Sequence, residues 1–160
     1  MEVVLYEPEI PPNTGNIARL CAVTGTTLHL IEPLGFKLED RYLKRAGLDY
    51  WPHVSLHVWP DMAHFLADRQ ATRPGARLVI TSSKKGGQPC HRFPFQRDDI
   101  LIFGKETAGL PDEVRDLSSL HVRIPMLAGH GRCLNLSTSC GIVLYLALSA
   151  SGMLDGEDWL

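Results

Sequence analysis

Six short apolar runs separated by helical patterns constrain the fold of this chain more than any other feature. They are Glu2–Tyr6, Thr27–Ile31, Val54–Val58, Leu78–Ser82, Ile100–Phe103 and Val122–Ile124. All six read as strands, the last three as short apolar runs of the buried kind. Between the first two lies a helical pattern from about Thr14 to Thr24, with Ile17, Leu20, Cys21 and Thr24 at i, i+3, i+4 and i+7. Asn13 is placed to cap its start and Gly25 its end. Further helices are expected over Leu38–Ala46, after a capping Asp61 with Met62, Phe65 and Leu66 on the apolar face, at Pro111-Asp-Glu113, and over Leu136–Ser149. Strands alternating with helices imply parallel β–α–β units. The expectation is one α/β domain over residues 1–160, three-layer α/β/α with a parallel sheet.

Bulk properties narrow the partners. With 44% hydrophobic and 21% charged residues, and a net charge of −2, the chain reads as an ordinary globular protein. Any nucleic-acid contact must then rest on a local basic patch. The N-terminus lacks the basic and apolar regions of a signal peptide, and the longest apolar run, Gly141–Leu148, is too short to span a bilayer. No membrane partner is expected. Cys21, Cys90, Cys133 and Cys140 form no CxxC pair, which suggests reduced thiols in a cytoplasmic protein. The seven histidines are scattered without metal-ligand spacing, so no metal is expected. The final helix is apolar nearly all round, from Ile142 to Leu148, and needs cover on more than one side. A homodimer through that helix would supply it.

Three segments carry candidate chemistry. In Pro11-Pro-Asn-Thr-Gly-Asn-Ile-Ala-Arg19, Asn13 and Asn16 offer amides, Gly15 permits close backbone approach and Arg19 brings a cation. In Gly104-Lys-Glu-Thr-Ala-Gly-Leu-Pro111, a strand ends at a glycine and Glu106 follows in a tight turn. From Ile124 a Gly-rich loop, Leu127–Cys133, feeds Asn135–Ser139 and the last helix, whose free backbone N–H groups and dipole suit a polar or anionic ligand. Each segment alone is equally compatible with a capped helix, a surface turn or a plain loop. No GxGxxG follows the first strand, so a standard dinucleotide or flavodoxin-like phosphate site is unsupported.

Taken in this order and spacing, the three segments resemble the SPOUT superfamily of trefoil-knotted RNA methyltransferases. The likeness is greatest to its small single-domain branch of tRNA 2′-O-methyltransferases acting on the wobble nucleotide. Ile31-Glu-Pro-Leu-Gly-Phe36 and Arg45-Ala-Gly-Leu-Asp-Tyr50 also fit that branch, and the resemblance spans essentially the whole chain. It implies a parallel α/β sheet with a deep C-terminal trefoil knot, an exception to the rule against knots. It implies S-adenosylmethionine (SAM) as cofactor, held by Thr81, by Gly104 and Glu106, and by Ile124, Met126, Cys133, Leu134 and Asn135. It implies a homodimer with the RNA site shared between subunits, and as substrate the tRNA anticodon stem-loop, at cytidine or a 5-carboxymethylaminomethyl-uridine.

By the same resemblance Arg19 acts at the ribose 2′-hydroxyl, while Asn13 and Glu106 orient the site and Arg132 grips phosphate. A guanidinium with a pKa of roughly 12.5–13.8 is a poor base, so stabilising an alkoxide or clamping a phosphate is the alternative. Arg41, Lys44 and Arg45 fall on one helical face and, with Lys84 and Lys85, could track an RNA backbone. Tyr145 matches a family position too, with a buried helix tyrosine as the alternative. Cys133 stands where the family usually has serine, and a thiol is the weaker donor. Cys133 has no assignable histidine partner that would make it a nucleophile. The rival readings are the same chemistry on another tRNA position or on ribosomal RNA, and a knotted RNA-binding protein without turnover.

Overall fold

The computed structural model describes residues 1–39, 45, 50–82, 86–129, 133–156 and 159. Seven strands form one sheet: β1 (Glu2–Tyr6), β2 (Thr27–Ile31), β3 (Leu56–Trp59), β4 (Leu78–Thr81), β5 (Gln88–Pro89), β6 (Ile100–Phe103) and β7 (His121–Arg123). Their order is β3-β2-β1-β6-β4-β7-β5, and every pairing is parallel. The four described helices are α1 (Pro11–Val23), α2 (Met62–Thr72), α3 (Asp112–Arg115) and α4 (Leu136–Ala150).

Successive side chains of a strand point to opposite faces, so each strand feeds two cores. Val3 and Leu5 of β1 join Leu28, Leu30, Leu101 and Phe103 beneath α1 and α4, which contribute Ile17, Ala18, Cys21, Cys140, Val143 and Leu144. Val4 points the other way, with Ile31, Ile80, Ile100 and Ile102, toward Phe65 of α2 and Val114 of α3. Helices thus cover both faces, as the apolar, non-alternating strand sequences require. A fully buried side chain such as Leu144 contributes about 1.5–3 kcal/mol.

Local details depart from the sequence pattern in four places. Helix α1 begins at Pro11, three residues before the expected Thr14, because Pro11 and Pro12 occupy the first two positions where no N–H is needed. Ile10 is the cap residue, and Asn13 lies buried inside the first turn rather than capping it. Strand β3 covers Leu56–Trp59 instead of 54–58. The stretch from 86 to 99, where no element is expected, holds β5 and a 3₁₀ turn, Cys90–Arg92, and buries Phe93 and Phe95. The expected helix 38–46 and the lysines at 84 and 85 lie outside the described residues, Leu38, Glu39 and Arg45 apart. Asp61 caps α2 as expected, accepting from the His64 N–H at 2.9 Å.

Beside the start of β1 lies a dense charge network. Glu2, 4% exposed, accepts from Arg69 at 2.7 Å and Arg73 at 2.6 Å. The fully buried His29 stands 3.2 Å from Glu2 through Nε2, without the alignment of a hydrogen bond. Trp59 donates to His29 Nδ1 at 3.0 Å, which leaves the ring proton of the neutral imidazole on Nε2. Burial alone would raise the Glu2 pKa, but His29, Arg73 and Arg69 hold it down at about 2.

Candidate active site

The carboxyl ends of β4, β6 and β7 open onto a cavity of about 400 Å³. In parallel α/β sheets this is where ligands bind, and the volume falls in the range of small-molecule sites, roughly 300–1,000 Å³. Thr81 ends β4 at its edge, with its hydroxyl donating to the Ile102 carbonyl at 2.7 Å. Gly104 and Glu106 form the wall after β6, and Ile124 and Met126 the wall after β7. Cys133, Leu134 and Asn135 close it at the start of α4, and Asn13 reaches it from α1. The structure therefore brings all of these sequence-nominated residues to one cavity.

The wall after β6 is folded tightly on itself. Lys105 and Gly109 exchange backbone hydrogen bonds at 3.2 and 2.9 Å, with Gly109 at φ +69°. A Cβ on Gly104 would stand 2.2 Å from the Gly109 carbonyl carbon and 2.4 Å from the Leu110 nitrogen. Only glycine permits that approach.

Carboxylates lock this turn to the segment before α1. Glu106 accepts from the backbone N–H of Glu9 at 2.8 Å, of Ile10 at 3.1 Å, and from Asn13 Nδ2 at 3.1 Å. It thus serves the free donors at the start of α1, where no local side chain caps them. Glu9 reciprocates, accepting from the Thr107 N–H at 3.0 Å and its hydroxyl at 2.8 Å. Lys105 pairs with Glu7, which holds a left-handed φ of +46°. Asn135 Nδ2 then donates to Asn13 Oδ1 at 2.9 Å, while its own Oδ1 caps α4 through the Ser137 and Thr138 N–H groups. A continuous polar chain, Glu106–Asn13–Asn135, ties the three segments together across the cavity.

Arg19 is not brought to this cavity. It lies exposed further along α1, with Cζ 4.6 Å from the Tyr50 ring centroid and Nη2 donating to the Tyr50 hydroxyl at 3.3 Å. Arg45 is exposed, and Arg41, Lys44 and Arg132 lie outside the described residues. Tyr145 is 53% exposed rather than buried, on a stripe of α4 with Ile142. Cys133 is an exposed free thiol, whereas burial raises the Cys21 thiol to about 12 and pushes Cys140 up as well.

Comparison with known proteins decides the family. The model of the SpoU rRNA Methylase family matches residues 1–145. The chain belongs to that family. As a SpoU-family protein it is a methyltransferase. A tRNA (cytidine(34)-2'-O)-methyltransferase of Methylovorus glucosotrophus (strain SIP3-4) is 47% identical over 151 residues, covering 91% of this chain and 92% of that protein. A structure solved for insights into the 2-OH methylation of C/U34 on tRNA superposes with a TM-score of 0.85 at 45% identity, covering 93% of this chain and 94% of that one. The SpoU methyltransferase AviRb from Streptomyces viridochromogenes, solved in complex with the cofactor AdoMet, gives a TM-score of 0.81 at 25% identity. That match covers 98% of this chain and 61% of AviRb.

Several residues at the cavity escaped the sequence reading. Ile10, Phe103 and Val143 supply apolar lining, and Thr107 anchors Glu9. Thr107 lies inside a segment already singled out, so its place was within reach. Glu9 had no local signal, because its partner is 98 residues away.

Proposed function

We propose that this chain transfers the methyl group of SAM to the ribose 2′-hydroxyl of nucleotide 34, the wobble position of a tRNA anticodon loop. The observation that carries this reading is the convergence of the three segments on one cavity through the Glu106–Asn13–Asn135 chain. The resemblance to enzymes of C/U34, near half identity along almost the whole chain, supplies the substrate. The position of β7 between β4 and β5, laid down after both, supports the trefoil knot that the resemblance implies.

The cavity fits SAM on its own chemistry. Its apolar lining, Ile10, Phe103, Met126 and Leu134 among it, suits a nucleoside, and the glycine-pinned turn at 104–109 brings backbone close to a ligand. Bound there, SAM supplies an electrophilic methyl on a positively charged sulfur. The chain itself supplies position: the Thr81, Gly104–Glu106, Ile124–Met126 and Cys133–Asn135 walls hold the cofactor, and Glu106, Asn13 and Asn135 hold the walls. Arg19 serves as a cation toward the RNA, stabilising negative charge at the 2′-oxygen or gripping the adjoining phosphate. Positioning supplies much of the acceleration for so reactive a methyl donor.

The reading includes a homodimer. Helix α4 exposes the stripe Thr138, Ile142, Tyr145 and Ser149, and a second copy packed there would cover its apolar members. Since Arg19 does not line the cavity of its own chain, a site shared between copies is the arrangement in which it meets the reaction. Arg41, Lys44, Arg45 and Arg132 are assigned to the RNA backbone.

Transfer of labelled methyl from SAM to unmodified anticodon stem-loops, with nucleoside mapping, tests the proposal. Label on the 2′-oxygen of nucleotide 34 is expected. Label confined to ribosomal RNA, or to another tRNA position, would overturn the assignment of substrate.

A further inference from the structure

Arg19 lies on an aromatic ring without a carboxylate partner among the described residues, whereas Arg69 and Arg77, which also stand 5.8–6.0 Å from ring centroids, are ion-paired. Arg69, Arg73, Arg77 and Arg115 pair with carboxylates. Arg97 and Arg123 donate to backbone carbonyls. Among the described residues no carboxylate lies within ion-pair distance of Arg19. Its guanidinium lies instead over the ring of Tyr50, at 4.6 Å, with one N–H on the phenolic oxygen at 3.3 Å.

We propose that Tyr50 is the positioning residue for Arg19, its ring face holding the cation in place for an anionic oxygen of the RNA. The inference rests on the proposed 2′-O-methyltransferase activity, in which Arg19 meets the ribose or its phosphate. A carboxylate would also order the side chain, but it would cancel the charge and take up the N–H edges. An aromatic face does neither: it engages the flat face of the guanidinium and leaves most of its edge donors free for an anion. A long, exposed arginine left without such a support would lose rotamer freedom on meeting substrate, and the transition state would bear that loss. Tyr50 is itself fixed. It is half-buried, and its carbonyl accepts from the His53 N–H at 2.8 Å, at the head of the 3₁₀ turn 51–53 that packs on α1. It does not line the cavity, so its effect runs through Arg19 and leaves SAM binding alone.

The test compares Tyr50→Phe and Tyr50→Leu in the full chain. Methyl transfer to an anticodon stem-loop, SAM affinity by calorimetry and the side-chain NMR signals of Arg19 are measured for each. Tyr50→Leu is expected to lower kcat/KM for RNA by about three- to thirty-fold, with SAM affinity unchanged. Tyr50→Phe keeps the ring and is expected to retain activity within about threefold. The Arg19 side-chain protons should show ring-current upfield shifts in the wild type and Tyr50→Phe, and lose them in Tyr50→Leu. Full activity in Tyr50→Leu, an equal loss in Tyr50→Phe, or a parallel fall in SAM affinity would each overturn the inference. Absence of the upfield shifts in the wild type would overturn it whatever the activity. A wild type that methylates no RNA while showing those shifts would instead sink the proposed function and leave the Arg19–Tyr50 contact established.

Discussion

Replacing Glu106 by glutamine isolates the claim that this residue builds the site rather than reacting in it. The carboxylate has two acceptor oxygens and three donors: the Glu9 N–H on Oε2, the Ile10 N–H and Asn13 Nδ2 on Oε1. Glutamine offers one carbonyl oxygen. In its better orientation it keeps the Ile10 and Asn13 bonds and turns an NH2 toward the Glu9 N–H, leaving one backbone donor without an acceptor. Losing a charge-assisted hydrogen bond costs about 1.5–3 kcal/mol. Losing a negative charge at the start of α1 costs about 0.3–1 kcal/mol more. Because Glu106 is half-exposed, water offsets part of both, and about 2 kcal/mol is the working value. For a chain of this size that lowers Tm by roughly 4–8 °C. Urea unfolding should show the same loss with an unchanged slope, and calorimetry should show weaker SAM binding, because the released turn is a wall of the cavity. A variant of unchanged Tm and unchanged SAM affinity that nonetheless loses methyl transfer would refute the reasoning, and would place Glu106 at the reacting atoms.

Four further outcomes are expected. Gly104→Ala drives a Cβ into the Gly109–Leu110 backbone, which no rotamer relieves, and should cost at least about 1–3 kcal/mol with loss of SAM binding. Gly141→Ala is the control: its nearest atom is Leu20 Cδ2 at 3.9 Å, so the helix gain of about 1 kcal/mol should appear as a raised Tm. Arg19→Ala should lower transfer by about 10²–10³-fold while calorimetry finds SAM binding intact, since Arg19 lies off the cavity; lost SAM binding would move it to the cofactor side. Acid should destabilise the fold in two stages read by denaturant titration. Burial, the largest effect on His29, lowers its pKa, so stability begins to fall below about pH 6.5 as the unfolded imidazole gains a proton. Glu2, held at about 2, contributes stability that is complete above about pH 4.5 and is lost as pH falls toward 2. In Glu2→Gln the second stage should shrink, what remains coming from Glu9, Asp61 and Asp68, whose hydrogen bonds also hold their carboxyls down; a stage of undiminished size would refute the assignment.

How far the sequence could be read follows from the range of each interaction. Periodicity and composition are local, so the strands β1, β2, β4, β6 and β7 were legible within a residue or so, as was the Asp61 cap. The start of α1 was misplaced by taking Asn13 as its cap; the cap residue is Ile10, whose N–H donates to Glu106, 96 residues away and beyond any local pattern. Strand β5, only Gln88–Pro89, has no apolar run to announce it and exists because β7 offers an edge. The buried alternative for Tyr145 could not be decided locally because helix α4 is apolar nearly all round, and only the packing shows which stripe the single chain leaves uncovered. The cavity residues were legible through resemblance. What each one touches was not, since a motif fixes residue types and leaves their partners open.

Those partners change the meaning of the motif. Glu106 faces Glu9, Ile10 and Asn13; Asn135 faces Ser137, Thr138 and Asn13; the Thr81 hydroxyl faces Ile102. The polar side chains that mark the segments are thus engaged with the protein's own backbone and with one another. Around them the cavity is lined by apolar residues such as Phe103 and Leu134 and by polar or charged ones such as Ser82, Lys105, Arg123 and Ser139. In the proposed site these side chains therefore act one step behind, by holding the turns that form the walls. This arrangement agrees with the proposed site having Cys133 where the resemblance implies serine, since a position that contributes only its main chain would tolerate a thiol, the weaker donor. It also separates the two ends of the sheet. Beside the start of β1, Arg69 and Arg73 are paired around Glu2, and that charge holds the fold. Arg19, laid on an aromatic ring with no carboxylate partner among the described residues, keeps its charge available to a substrate.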